Sequence, residues 1–360
     1  MDIERYQPLW YEKAVLHQSD VYIVRNMAAA FAERLDFASH RVSDIRLCTT
    51  ELAQNHIDHK TTRGCMRIFG QMLTDKEALI HIASLDKGPG FGAKLGLGAR
   101  DRLGSGLGVG LGTVRRLADD FGICSGKVGG IPCPDLLSGK REVETLVGAS
   151  FLRDEGSFAQ LPVEFSFLTR PSEGETFCGD GVCVLFEYPY LQIVVMDALG
   201  KGREAAEVVA LARKFLSLVP AGIDPVDLML SLGSRILGSR GLMAQAIRLH
   251  LEKAELKVVT AGDIGHFLFL DGKERFLSGH SGLVGQINSR SALVETSFSG
   301  FNQIMGIAFT DGLGAIPKIR FNQVLMDIPA LVWANYLFPI SGEGEKAHDD
   351  ATVVVWKWEN

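Results

Sequence analysis

The chain has 360 residues, a net charge of −6 and an apolar share of 46%, enough to bury more than one core and too apolar for disorder. Its charges form no basic block, which argues against a nucleic-acid footprint and against electrostatic attachment to a membrane. Glycine is the oddity: of 40 residues, only two fall in positions 1–85, whereas ten fall in the 25 positions from Gly88 to Gly112.

The opening MDIERYQPLW has no basic stretch followed by an apolar run, so no secretory signal is expected. Ser19–Phe37 puts Val21, Val24, Ala28, Phe31 and Leu35 on one helical face behind a Ser/Asp cap, and a second helix is expected over Ser43–His59. Cys65–Leu73 and Ala78–Asp86 read as strands, the glycine tract follows, and Gly112–Gly122 reads as a short amphipathic helix. Periodicity is lost between about Ser125 and Ser150, which divides the chain into a domain at 1–140, a linker at 141–160 and a domain at 161–360.

In the second half, strands are expected at Val163–Leu168, Val182–Phe186 and Leu191–Met196. Helices follow at Arg203–Leu218 and Asp224–Leu237. Strands resume at Met243–His250, Leu256–Ala261, His266–Leu270, Ile304–Phe309 and Thr352–Trp358. Strands, two helices and strands again predict a layered α+β fold. Ile328–Ile340 is too short to span a bilayer and reads as a buried helix. Six cysteines without CxxC or zinc spacing read as reduced thiols of a cytoplasmic protein.

Three pieces of the N-terminal half carry chemistry: TELAQNHIDH, DKGPGF and GSGLGVGLGTVRRL. Glu51 and Asn55 are i,i+4 on a helix and share a face, where a carboxylate and an amide oxygen could polarise a hydroxyl and hold Mg²⁺ beside phosphates. Asp86, at a strand end, suits an exocyclic amine. Gly88 and Gly90 let the backbone turn beneath a flat base, and the later glycines expose N–H groups before a helix N-terminus. The spacing fits neither a dinucleotide fingerprint nor a P-loop, and His56 and His59 lack a zinc arrangement.

In this order the pieces resemble the N box and glycine boxes of the GHKL ATPase superfamily. The likeness is closest to the serine/threonine kinases of bacterial partner-switching systems, the anti-sigma-factor kinases. The resemblance implies an α/β sandwich of the Bergerat type binding ATP with Mg²⁺. Asn55 is then the Mg²⁺ ligand, Glu51 the base towards a protein hydroxyl, and Asp86 the adenine partner, with Gly88, Gly90, Gly106, Gly108 and Gly110 around the nucleotide.

In the C-terminal half, aspartates punctuate strand ends at Asp180, Asp197, Asp311 and the pair Asp349 and Asp350. A carboxylate there is costly unless its charge is met. Convergent carboxylates with few His or Cys suit hard octahedral ions, Mg²⁺ or Mn²⁺, and two such ions can activate a water for attack on a phosphate monoester. The order GD, DALGKG, AGDIGH, TDGL and DDATVVV resembles the metal-dependent protein phosphatases of the PPM superfamily, nearest to the SpoIIE-type subgroup. That likeness implies a β-sandwich flanked by helices and a dinuclear centre held by Asp180, Asp197, Asp311, Asp349 and the carbonyl of Ala198. The chain carries Ala198 where that family has Gly and Lys201 where it has His.

The two resemblances together imply a partner-switching signalling protein that dephosphorylates phosphoserine or phosphothreonine on a STAS-type partner and carries an ATP-binding, kinase-like domain. They are also compatible with a homo-oligomer. Two alternatives stand beside this reading: a phosphatase tuned by a silent nucleotide sensor, and a non-catalytic scaffold.

Overall fold

The computed structural model describes residues 3–61, 64–74, 77–87, 108–125, 127–128, 131–132, 145–153, 161–279, 282–286, 290–314, 324–338 and 348–360. In chain order the first part holds β1 (Leu9–Ala14), α1 (Gln18–Arg34), α2 (Ser39–Asp58), β2 (Cys65–Met72), β3 (Ala78–Asp86) and α3 (Gly108–Leu117). It continues with β4 (Asp120–Ser125), the short pair β5 (Lys127–Val128) and β6 (Ile131–Pro132), and β7 (Thr145–Leu152). Strands β1-β2-β3-β7-β4 make one antiparallel sheet in that order.

Helix α1 buries Val21, Val24 and Ala28 along the expected stripe. Its start differs from the expected Ser/Asp cap. His17 is the N-cap, and Asp20 reaches back so that its Oδ2 accepts from the N–H groups of Leu16 (3.0 Å) and His17 (2.9 Å). Strand β7 occupies the stretch read as a linker. Its periodicity is masked in sequence because both faces are buried over Thr145–Phe151. Among the described residues the thiols of Cys48, Cys65, Cys178 and Cys183 are free.

The second part begins with β8 (Glu164–Arg170), β9 (Asp180–Glu187), β10 (Tyr190–Ala198), α4 (Arg203–Leu216), α5 (Pro225–Arg235), β11 (Leu242–His250) and β12 (Glu255–Ala261). It continues through β13 (Gly265–Leu270), β14 (Lys273–Leu277), β15 (Val294–Ser299), β16 (Gln303–Phe309), α6 (Val324–Asp327), α7 (Ala330–Leu337) and β17 (Ala351–Glu359). Two five-stranded antiparallel sheets result, ordered β15-β12-β11-β10-β9 and β14-β13-β16-β17-β8. On β10, Val194, Met196 and Ala198 enter a core with α4 and α5, while Ile193 and Val195 on the other face are buried too. Asp224 caps α5 with Oδ1 accepting from the Val226 N–H at 2.9 Å, and Pro225 follows at the first turn.

The chain divides into two compact units, neither of them continuous. One comprises Leu9–Gln160 with Ala315–Ile340; the other comprises Met1–Pro8, Leu161–Gly314 and Ser341–Asn360. Helix α7 is buried at every residue, as the sequence indicated, and lies in the first unit against β7 and β4. Bare backbone admits it: a β-carbon on Gly122 would stand 2.7 Å from Val332, and one on Gly148 2.9 Å from Leu331. Arg67, 1% exposed, holds the end of α7 by donating to the carbonyls of Asn335 (2.9 Å) and Phe338 (3.1 Å). Its Nε and Nη2 donate to Glu12 on β1. A buried cation against the carbonyl end of a helix and a buried carboxylate is satisfied on both sides.

Candidate functional site

In the first unit, Glu51 and Asn55 lie on α2 and Asp86 ends β3, buried, opposite Thr145 of β7. Helix α3 begins earlier than expected, so Gly108 and Gly110 sit in its first turn, where N–H groups have no partner within the helix. Glu51 and Gly110 are brought together: a β-carbon on Gly110 would stand 2.5 Å from Glu51 Oε2. Gly88, Gly90 and Gly106 lie outside the described residues. His56, next to Asn55, is a core group. Its Nδ1 is hydrogen-bonded to Thr61 Oγ1 (2.8 Å) and its Nε2 to Ser84 Oγ (3.0 Å), which fixes α2 to β3. Burial pushes its ring down to about 4.

The second unit gathers the expected aspartates. Asp180 opens β9 and is the register partner of Asp197 near the end of β10. Asp311 follows β16 and Asp349 precedes β17. Asp180 is 2% exposed; its Oδ2 accepts from Thr310 Oγ1 at 2.7 Å, and its buried Oδ1 has no hydrogen-bond partner among the described residues. Burial, then the charge of Asp197, holds Asp180 well above the usual carboxylate range. Burial, then Asp311, Asp349 and Asp350, pushes Asp197 up to about 8. Asp311 is raised by burial and by Asp349. These mutual effects place the four carboxyls in one electrostatic neighbourhood.

Asp350 and Thr310 have roles that the sequence reading missed. Asp350 Oδ1 accepts from the Ser172 N–H (2.7 Å) and Oδ2 from the Gly179 N–H (2.6 Å), so both its oxygens are spent on backbone. Asp349 instead offers Oδ1 to the Asp350 N–H (3.0 Å) and to Lys201 Nζ (3.6 Å). Only the doubled Asp in HDDATVVV hinted at this division. Ala198 ends β10 without a left-handed backbone, so its β-carbon is tolerated.

Donor chemistry in the second unit fits a hard divalent ion: oxygen donors only, an orphaned buried oxygen, and carboxyls that repel one another. The ligand geometry is not preassembled. Among the described residues no three His, Cys, Asp or Glu side chains stand arranged to hold a metal.

Residues 16–131 match the family model described as a histidine kinase-like ATPase domain. That stretch is a histidine kinase-like ATPase domain. No curated protein sequence matches the chain. Among solved structures, the RsbU and RsbW domains of Rv1364c from Mycobacterium tuberculosis are 20% identical, covering 54% of this chain and 59% of that one, with a TM-score of 0.43. The phosphatase domain of SpoIIE from Bacillus subtilis is 19% identical over 55% of this chain and 93% of that one, with a TM-score of 0.36. The serine/threonine phosphatase of S. agalactiae is 14% identical over 55% of this chain and 100% of that one, with a TM-score of 0.44. Beside the ATPase domain, among the described residues no helix is long and apolar enough to cross a membrane.

Proposed function

We propose that the second unit is a metal-dependent phosphoserine/phosphothreonine phosphatase coupled to the ATPase domain. The observation that carries the proposal is the buried Oδ1 of Asp180, without a hydrogen-bond partner among the described residues, with Asp197 opposite it in register. Asp180, Asp197, Asp311, Asp349 and the Ala198 carbonyl would hold two Mg²⁺ or Mn²⁺ ions. When bound, such ions supply the positive charge and the acidified water that phosphate-ester hydrolysis needs. The rest falls to the chain. Thr310 fixes the orientation of Asp180, and Asp350 ties the Ser172 and Gly179 backbones so that Asp180 and Asp197 stay opposed. The motif likeness to partner-switching proteins supports a cytoplasmic STAS-type phosphoprotein as substrate. The test is phosphate release from a phosphoserine peptide with Mn²⁺. Asp197→Asn and Asp311→Asn are each expected to lower it by about 100-fold or more. Undiminished release in both variants refutes the assignment.

In the ATPase domain, Asn55 would hold the Mg²⁺ of ATP and Asp86 would take the adenine amine. Gly88, Gly90, Gly106, Gly108 and Gly110 would line the nucleotide. The seat of Glu51 against the first turn of α3 favours its service as a base beside the phosphates, hence a kinase. Incubation with γ-labelled ATP and STAS-domain proteins decides this. Label transfer lost in Glu51→Ala marks a kinase, and ATP binding without transfer marks a nucleotide sensor. Absence of both nucleotide and metal binding leaves the scaffold.

A further inference from the structure

A phosphoryl group carries nearly two negative charges at neutral pH, and the aspartate cluster by itself repels it. Two cations stand at the loop Leu199–Gly202, which joins β10 to α4. Lys201, 40% exposed at its side chain, reaches Asp349. Arg240 lies on the bare α-carbon of Gly200, where a β-carbon would stand 2.7 Å from Nη1, and Gly200 itself has φ +89.

The guanidinium is held in place. Its Nη2 is paired with Glu204, and its backbone carbonyl accepts from Gln286 Nε2 at 2.8 Å. The loop is stapled beside it by Leu199 N–H donating to the Gly241 carbonyl at 3.2 Å. Among the described residues Nη1 has no hydrogen-bond partner.

We propose that Lys201 and Arg240 form the phosphoryl-recognition edge of this site and determine its preference for a dianionic phosphate monoester. The inference rests on the phosphatase reading and deepens it. A half-exposed ion pair holds little energy, so Lys201 can leave Asp349 for a phosphoryl oxygen at small cost. Arg240 keeps Nη1 for the same group while Nη2 stays on Glu204, and a charge-assisted donor of fixed direction suits a tetrahedral oxyanion.

The test pairs calorimetric titration of inorganic phosphate into the Mn²⁺-loaded full chain with kinetics on a phosphoserine peptide. Lys201→Ala and Arg240→Ala are each expected to weaken phosphate by about threefold or more and to raise KM in step, the loss falling mainly on KM. Lys201→Arg recovers most of the affinity, and Mn²⁺ binding stays within about twofold of the parent. Unchanged phosphate affinity in both alanine variants, or a loss that merely follows lost Mn²⁺, overturns the proposal. Lysine-dependent phosphate binding without hydrolysis upholds this edge and refutes the phosphatase. Hydrolysis with unaltered KM in both variants does the reverse.

Discussion

At the residue scale, the second unit keeps several groups in the protonation state that water would not choose. Asp197, raised by burial from 3.8 to about 8, holds a proton that the unfolded chain releases near pH 4. Metal-free protein therefore loses stability as pH rises from about 4 to about 8. Asp197→Asn removes that loss, so in EDTA at pH 8 its unfolding free energy is expected to exceed the parent's by about 1–3 kcal/mol, with the gap narrowing at pH 5. Urea unfolding at the two pH values checks this. His266 works in the opposite sense. Burial lowers its ring from 6.5 to about 3, both ring nitrogens lack hydrogen-bond partners among the described residues, and it meets Trp356 edge-on at 6.2 Å. The unfolded chain takes up a proton that the folded chain refuses, so stability falls as pH drops from about 6.5 towards 3. His266→Leu is expected to unfold near the parent's midpoint at pH 7 and to lose less than the parent at pH 5. An acid response equal to the parent's contradicts this account.

At the element scale, α7 and the face of β7 and β4 were made for each other by absence of side chains. Gly148→Val sets a branched side chain against Leu331, and about 1–3 kcal/mol of destabilisation is expected by thermal or urea unfolding. Arg67→Met leaves Glu12 a buried charge without its arginine and strips the carbonyls of Asn335 and Phe338 of a donor, an expected loss of about 3–5 kcal/mol. Elements of the second half were legible because apolar runs such as Thr352–Trp358 sit between clear turn residues. Strand β1 was not: Trp10 and Glu12 share a face by the alternation of a strand, and a carboxylate is buried there only because Arg67 stands opposite it in register. Strand β7 was hidden behind a stretch with no periodicity. The aspartates announced themselves at strand ends. The separate duties of Asp349 and Asp350 did not, because neighbouring carboxylates differ only in which backbone they meet.

At the scale of the whole molecule, sequence order is a poor guide to what folds with what. Apolarity indicated that Ala330–Leu337 is buried but not that it is buried on β7 and β4, formed far earlier in the chain. A fragment ending at residue 140 lacks β7, which pairs with both β3 and β4, and also lacks α7. Such a fragment is expected to show no cooperative unfolding transition, whereas the full chain does; a cooperative melt of the fragment contradicts the described unit. Between Asp311 and Asp349 in sequence, helices α6 and α7 belong to the other unit, that of Leu9–Gln160. The central claim is that the aspartate cluster is a cation site built for phosphate chemistry. Calorimetric titration of Mn²⁺ into the intact chain and into Asp180→Asn tests it most directly. Saturable binding in the parent, lost or weakened at least about tenfold in the variant, is the expected result; no saturable binding in the parent, or equal binding in both, contradicts it.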